Sequence, residues 1–260
     1  MERAHEIERE LKKLRMPGAI QHLDQRLAQA REQNLGYLEF LSLVIQDETV
    51  NREANNFAKR LSRAGFGKQA TFEGFDFHFN ETALPAATIR DLASCRFIEG
   101  TTNVAVAGPP GIGKTHIVKA VGHEACRRGY EVLFRTTQRL LSDLLSLSQE
   151  RRRRLLRRAC QIDLLVLDDF AFRKLDAAEA ELLYVIAEER IGAASTMLTS
   201  NRPPQDWYST FPDPIVGGAI LDRMVSGAVK LITTNGRSYR KEVQGKRAND
   251  GEGRGEHNEQ

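Results

Sequence analysis

The chain has 260 residues, of which 41% are hydrophobic and 28% are charged, and its formal net charge is +3. This composition is ordinary for a globular protein with a buried core, and the length allows one large domain or a core domain with a smaller one. Charged residues interrupt every apolar run well before the roughly 20 residues that a membrane span needs, so we expect no membrane association.

Residues 1–64 are predicted to form a small N-terminal all-α module. Leucine and isoleucine recur at helical spacing in three segments, with Pro17 at the start of the second and Gly36 before the third. Acidic residues nearly balance the basic ones in and just after this segment, which include Lys12, Lys13, Arg15, Lys59, Arg60, Arg63 and Lys68. The module therefore fits either a solvated surface that docks a protein or a DNA-binding surface.

A glycine-containing stretch at residues 64–74 is the predicted linker. Aromatic and polar residues then alternate over residues 75–79, Phe-Asp-Phe-His-Phe, which predicts a half-buried strand or an extended segment packed against the next domain. Stacking of these rings on a nucleic-acid base is the alternative interpretation. Residues 88–97 are predicted to form a helix.

Residues 108–115, Gly-Pro-Pro-Gly-Ile-Gly-Lys-Thr, match the phosphate-loop pattern G-x-x-x-x-G-K-[ST] at every specified position. The apolar residues 103–107 before the loop predict a buried strand, and residues 116–126 after it predict a helix. In that context the loop amides and the helix N terminus bind a polyphosphate, whereas an isolated glycine-rich turn would bind nothing. We expect Lys114 to reach the β- and γ-phosphates and the Thr115 hydroxyl to ligate Mg²⁺.

A run of arginines follows the second predicted strand, residues 131–135, and the helix predicted at residues 138–147. Arg151, Arg154 and Arg158 fall on one face of the next predicted helix. The run, Arg151, Arg152, Arg153 and Arg154 with Arg157 and Arg158, contains no acidic residue. A solvated charged face, a contact with a phosphate backbone and a subunit interface all remain open.

Residues 163–169, Asp-Leu-Leu-Val-Leu-Asp-Asp, are a continuous apolar run that ends in two carboxylates. This pattern is typical of a buried parallel strand whose C-terminal end carries a metal site. We expect Asp168 to hold Mg²⁺, through water, and Asp169 to polarise the water that attacks the γ-phosphate. Carboxylates that cap the following helix are the alternative interpretation.

A further buried strand at residues 195–201 follows a helix predicted at residues 176–191, and its last residue, Asn201, is suited to orienting the attacking water. Trp207 and Phe211 are predicted to pack under the next loop, followed by a helix at residues 213–226 and a last strand at residues 228–233. Residues 244–260 are polar and glycine-containing, which predicts a disordered tail. The alternation of strands and helices predicts an α/β fold with a parallel sheet between helices.

Compartment and partners are only weakly constrained by composition. The charged N terminus does not resemble a signal peptide, and Cys95, Cys126 and Cys160 lack metal-ligand spacing, so we expect reduced thiols in a cytoplasmic protein. A net charge of +3 does not by itself indicate nucleic-acid binding, because the distribution of charge matters more than its sum.

With these motifs in place, the chain resembles the transposition-helper ATPases of the IstB type, relatives of the DnaC-type replicative helicase loaders within the AAA+ class of P-loop NTPases. The resemblance runs from about Leu11 to Arg240. It is carried by Arg-Met-Pro-Gly-Ala at residues 15–19, Gly-Phe-Asp-Phe at 74–77, the phosphate loop through His116, Thr-Ser-Asn at 199–201, Leu-Asp-Arg-Met at 221–224 and Gly-Arg-Ser-Tyr-Arg at 236–240.

The resemblance assigns roles to individual residues. It implies Walker A at Lys114 and Thr115, Walker B at Asp168 and Asp169, sensor 1 at Asn201, an arginine finger acting on a neighbouring subunit at Arg223, and a sensor 2 arginine at Arg240. For both arginines a salt bridge is the alternative. The nucleotide-binding residues are then Gly108, Pro109, Pro110, Gly111, Ile112, Gly113, Lys114, Thr115 and His116.

Two features depart from most AAA+ proteins. Asp169 stands where they have glutamate, and its shorter side chain predicts slow basal hydrolysis. The chain also ends soon after Arg240, so we expect an ATPase domain at residues 65–243 without a C-terminal lid domain.

The resemblance implies an ATP- and Mg²⁺-dependent ATPase that assembles as a homo-oligomer on duplex DNA, hydrolyses ATP slowly until assembled, and assists a transposase. A replicative helicase loader is the alternative, with a helicase as partner. A nucleotide-gated adaptor without a DNA contact is the alternative from another functional class.

Overall fold

The structure is a computed structural model that describes residues 2–68, 70–239 and 241–242, with side chains from residue 5 onward. Arg240 and the tail predicted to be disordered, residues 244–260, lie outside the described residues. The chain divides into two compact units, Met1–Lys59 and Arg60–Gln260. Within the described part of the chain, no helix combines the length and the apolar character that crossing a bilayer requires.

Three helices build the first unit. They are α1 (Glu2–Lys13), α2 (Pro17–Glu32) and α3 (Tyr37–Ala64), the last of which continues into the second unit. The helix breaks predicted at Pro17 and Gly36 are therefore confirmed. A small core of Ala19, Leu23 and Val44 holds these helices together.

Gly18 and Glu48 fix the contact between α2 and α3. A Cβ on Gly18 would lie 2.5 Å from the Cβ of Asn51, so the two helices approach each other as closely as only glycine allows. The buried Glu48 carboxylate accepts hydrogen bonds from the Gly18 amide at 2.8 Å and the Ala19 amide at 3.3 Å. It therefore caps the N terminus of α2, where Met16 makes no side-chain cap.

Residues 75–79 are predicted from the sequence to form a half-buried strand or an extended segment; residues 77–79 form a turn and residues 75 and 76 have no regular structure, so the strand alternative is wrong. The Asp76 carboxylate accepts hydrogen bonds from the amides of His78, at 2.9 Å, and Phe79, at 3.2 Å. This local turn uses the amides that a strand would need for its ladder. The helix predicted at residues 88–97 is also divided, because Cys95 adopts a left-handed conformation with φ 62°.

The second unit is a five-stranded parallel sheet with helices packed on it, which confirms the predicted fold class. The strand order is β2-β3-β4-β1-β5. The elements are α4 (Ala86–Ala93), α5 (Arg96–Glu99), β1 (Val104–Ala107), α6 (Lys114–Arg127), β2 (Val132–Thr136), α7 (Thr137–Ser146), α8 (Gln149–Gln161), β3 (Leu164–Asp168), α9 (Ala177–Arg190), β4 (Ser195–Ser200), α10 (Pro214–Val225) and β5 (Val229–Ile232).

The three central strands are buried along their whole length, as continuous apolar strands of a parallel sheet are. Trp207 and Phe211 pack on Phe170 in this core, which confirms their predicted packing. The three cysteines are buried and unbridged, and burial raises the pKa of Cys95 to about 11 and that of Cys126 to about 12. These thiols therefore belong to the packing of the core.

Candidate functional site

The phosphate loop connects the end of β1 to the start of α6 at the C-terminal edge of the sheet. Gly111 and Gly113 adopt positive φ values of 86° and 112°, a region that side chains disfavour. A Cβ on Gly111 would also lie 2.3 Å from the Ser238 hydroxyl. Glycine at both positions therefore lets the loop adopt a backbone conformation that a side chain would strain.

Lys114, the first residue of α6, is 6% exposed and lies across the loop. Its ammonium group donates to the carbonyl oxygens of Gly108 at 2.8 Å and Pro109 at 2.9 Å. It also donates to the side-chain oxygen of Asn201 at 2.8 Å. The lysine is thus held inside the loop by residues that directly follow the neighbouring strands β1 and β4.

Thr115 faces the carboxylate that ends β3. Its hydroxyl donates to the Asp168 oxygens at 3.0 and 3.1 Å, and the Thr199 hydroxyl of β4 donates to the same carboxylate. The backbone carbonyl of Asp168 accepts a hydrogen bond from Thr137 at 3.2 Å. Asp168 is only 4% exposed, so these partners fix its orientation. The two residues predicted to hold Mg²⁺ therefore lie together.

Asp169 follows β3 in a left-handed conformation with φ 53°, which begins a turn. The Thr199 hydroxyl accepts a hydrogen bond from the Asp169 amide at 3.1 Å and secures this turn. The Asn201 side-chain amide donates to the Asp169 carboxylate at 3.2 Å. Asn201 thus bridges Lys114 and Asp169, so residues from the ends of β1, β3 and β4 form one connected network.

A cavity of about 420 Å³ lies beside this network and is lined by the phosphate loop, Asp168, Asp169 and Asn201. Its other wall is aromatic and apolar and consists of Phe75, Phe77, Phe79, Leu84, Ile89, Phe172 and Tyr239. The His116 ring stacks on Phe75 with the ring centroids 5.2 Å apart and lies 2.9 Å from the Thr71 carbonyl oxygen. The aromatic residues of the segment 75–79 therefore line the cavity, although about 30 residues separate them from the loop in the sequence.

Asn80 connects the phosphate loop to the segment after β5, a role that the sequence did not indicate. Its side chain donates to the carbonyls of Arg237 at 2.9 Å and Ile112 at 3.3 Å and accepts from the Arg237 amide at 2.9 Å. The Tyr239 amide donates to the Gly111 carbonyl at 3.0 Å. The chain after the sheet is therefore anchored on the loop that faces the cavity.

Arg223 is not among the residues that line the cavity. It lies near the end of α10, where it forms an ion pair with Glu188 of α9 and stacks over the Tyr184 ring at 5.1 Å from the centroid. Its guanidinium also donates to the Ala219 carbonyl at 3.0 Å. Within one chain, then, Arg223 forms the salt bridge that is the alternative to an arginine finger. The other predicted arginine, Arg240, lies outside the described residues.

Two kinds of sequence comparison find relatives of this chain. A family model described as IstB-like ATP-binding protein matches residues 9–247. A Mycobacterium tuberculosis protein is 42% identical over 88% of this chain and 92% of its own length, and a Pseudomonas aeruginosa protein is 35% identical over 91% and 89%. Both are named as a "putative ATP-binding protein" of an insertion sequence, the second of IS21.

Solved structures resemble the chain in fold. The crystal structure of the DnaC helicase loader superposes with a TM-score of 0.55 at 23% identity and covers 64% of this chain and 97% of that chain. The AMPPCP-bound structure of DnaA from Aquifex aeolicus also gives a TM-score of 0.55, at 19% identity, over 72% of this chain and 56% of that one. At such identities the likeness establishes the fold alone.

Proposed function

The chain belongs to the family of IstB-like ATP-binding proteins, and from this premise we propose that it is an ATPase that assembles on duplex DNA and assists a transposase. Its fold is the AAA+ P-loop fold shared with DnaC and DnaA. Fold alone does not imply an activity, so the residues of the site must support it.

The observation that carries the ATPase proposal is the position of Asn201 between Lys114 and Asp169. Its oxygen accepts from the lysine at 2.8 Å and its nitrogen donates to the carboxylate at 3.2 Å. The Lys114 ammonium group, which binds phosphate, and the Asp169 carboxylate, the candidate base, are thereby held on either side of the Asn201 side chain. This arrangement supports a reaction in which the transferred phosphoryl group lies between the lysine and a water.

Thr115 and Asp168 supply the oxygen ligands that Mg²⁺ prefers, a hydroxyl and a carboxylate about 3.0 Å apart beside the cavity. These two residues would hold the ion, which would neutralise charge on the β- and γ-phosphates. The Thr199 hydroxyl keeps the carboxylate turned towards Thr115.

The remaining residues act on the phosphates and the attacking water. The backbone N–H groups of the loop, which Pro109 and Pro110 lack, bind the polyphosphate. Lys114 exchanges its carbonyl partners for phosphate oxygens, which are stronger acceptors for an ammonium group. Asp169 polarises the water and Asn201 orients it. In the assembly Arg223 reaches the γ-phosphate of the neighbouring subunit, and Arg240 serves as sensor 2.

The names of the relatives place them in insertion sequences, which supports a transposase as the partner. We assign residues 1–64 to binding the partner or DNA and residues 65–243 to the ATPase domain of a cytoplasmic protein. ATP holds the assembled state and hydrolysis dissolves it, because the γ-phosphate stabilises only one arrangement of the subunit interface.

The test measures phosphate release and particle size by light scattering, with and without duplex DNA, for the wild type and Lys114→Ala. We expect the wild type to form a large ATP-dependent particle on DNA with faster hydrolysis, and the variant to form none. A wild-type chain that remains a DNA-indifferent monomer would identify a nucleotide-gated adaptor instead. Capture of the DNA-bound particle by a transposase, and not by a replicative helicase, separates the helper from a helicase loader.

A further inference from the structure

Helix α8 carries a dense positive surface that the proposed ATPase site does not use. Six of its 13 residues are arginine, against one glutamate. The buried residues Ala159 and Cys160 face the core, and the opposite face presents a continuous set of guanidinium groups. We call Arg151, Arg153, Arg154, Arg157 and Arg158 the α8 arginine surface.

Most of these arginine side chains have no partner in the part of the chain that the structure describes. The side chains of Arg151, Arg153 and Arg157 are exposed and make no hydrogen bond or ion pair with any residue that the structure describes. Arg154 pairs with Glu150, and Arg158 donates to the Arg63 carbonyl at 2.9 Å. Three guanidinium groups are thus available to an external anion.

The arginine run does not serve the stability of α8. Its first members occupy the N-terminal turns of the helix, where the helix dipole favours negative charge and opposes positive charge. Neighbouring guanidinium groups also repel one another. Burial, and to a lesser extent the charges of Arg135 and Arg63, lower the pKa of Arg158, although Glu131 acts in the opposite direction. A function outside the fold accounts for this arrangement better than a structural role.

The chemistry of the surface favours a nucleic-acid backbone over a lipid surface. The apolar residues of α8, Leu155 and Leu156, pack against the core, so the exposed face offers no apolar residue for insertion between lipids. From Arg151 to Arg158 the helix advances about 10 Å at 1.5 Å per residue. Duplex DNA carries one phosphate charge per about 1.7 Å of axis, so several phosphates lie within reach of this face.

We propose that the α8 arginine surface binds the phosphate backbone of duplex DNA. This inference rests on the proposed function, since it locates the DNA contact of the assembled ATPase. Because guanidinium groups that meet phosphates contribute charge and no base contacts, the binding is insensitive to DNA sequence and strongly dependent on salt.

The test compares three variants of the full-length chain in the presence of a non-hydrolysable ATP analogue. The first replaces Arg151, Arg153 and Arg157 by alanine, which removes no described intramolecular bond and favours the helix. The second replaces the same three residues by lysine and keeps the charge. The third is a control that removes three positive charges elsewhere on the second unit by alanine at the exposed residues Arg96, Arg127 and Lys230.

The measurement is fluorescence anisotropy of a labelled 30-base-pair duplex over a series of salt concentrations. For the alanine variant we expect the slope of log affinity against log salt concentration to become less steep by about 2 to 3, since each lost phosphate contact reduces the magnitude of the slope by about 0.9. The loss of affinity in the alanine variant should be equal for duplexes of unrelated sequence. The lysine variant should retain the wild-type slope, and so should the control.

Three results would overturn the proposal, in different ways. If the wild type binds the duplex with a steep salt dependence and the alanine variant behaves as the control does, the DNA contact lies elsewhere and only this inference fails. If the wild type binds no duplex at all, the proposed function fails with it. If the alanine variant loses binding to anionic phospholipid vesicles and keeps its binding to the duplex, the surface is assigned to a membrane contact. That result would also overturn the inference.

Discussion

Replacing Arg223 by alanine separates a structural salt bridge from an arginine finger. Within the chain, Arg223 pairs with Glu188, whose side chain is 50% exposed, and stacks over the Tyr184 ring. A partly exposed ion pair is worth about 0.2 to 1 kcal/mol, and an exposed cation–π contact about 0.5 to 1 kcal/mol. The loss of both costs at most about 2 kcal/mol of folding stability, which leaves the chain folded.

The expected effect on catalysis is much larger. A finger that acts on the neighbouring subunit contributes about 10³-fold or more to the rate, which corresponds to a barrier change of roughly 4 kcal/mol. We therefore expect Arg223→Ala to bind ATP and assemble on DNA while losing at least that factor in phosphate release. Glu188→Gln is the matched control, because it breaks the same ion pair and leaves the arginine charged, and it should retain the wild-type rate.

A mixing experiment tests the action between subunits. Asp169→Asn subunits keep Lys114 and Arg223 but lack the carboxylate that polarises the water, so in mixed particles they can supply the finger to the competent site of an Arg223→Ala neighbour. Phosphate release should then exceed the sum of the two variants measured separately. Equal losses in Arg223→Ala and Glu188→Gln, or mixtures that merely add, would refute the finger and leave the salt bridge as the role of Arg223.

Three further predictions concern single residues. Asp169→Glu should raise basal hydrolysis by roughly fivefold, about 1 kcal/mol in the barrier, because the longer side chain brings the carboxylate closer to the water; an unchanged or lower rate in a phosphate-release assay contradicts this reading. Asn80→Ala should weaken binding of a fluorescent ATP analogue by about tenfold, since it releases the phosphate loop from the segment after β5; an affinity equal to that of the wild type would show the loop to be held without it. Arg173 holds the pKa of the buried Glu179 carboxyl below its ordinary value. The pair therefore stabilises the fold at pH values above the pKa of Glu179 in the unfolded chain, about 4.5. That contribution is lost as the pH falls through the lower pKa of Glu179 in the folded chain. Urea unfolding of Glu179→Gln should show a loss of about 1 to 3 kcal/mol at pH 7 and a smaller loss in acid, whereas a loss independent of pH would exclude this linkage.

The aromatic segment at residues 75–79 shows why one prediction failed. Alternation of aromatic and polar residues has the period of a strand, but Asp76 bonds to the amides of two residues that follow it. Such a side-chain bond competes with the ladder of a sheet and is decided by geometry that periodicity does not report. The rings consequently line the cavity instead of joining the sheet.

The sequence by itself determined the phosphate loop, the buried strands and the parallel α/β class, because each depends on glycines, apolar runs and turn residues that lie close together in the chain. It also placed Asp168, Asp169 and Asn201 at strand ends. The tertiary structure alone decided the strand order, which sets β4 between β3 and β1 and so lets Asn201 bridge Lys114 and Asp169. It also decided the anchoring of the chain after β5 on Asn80, a contact between residues 157 positions apart. Contacts of that separation depend on how the elements pack, and no local pattern of residues encodes them.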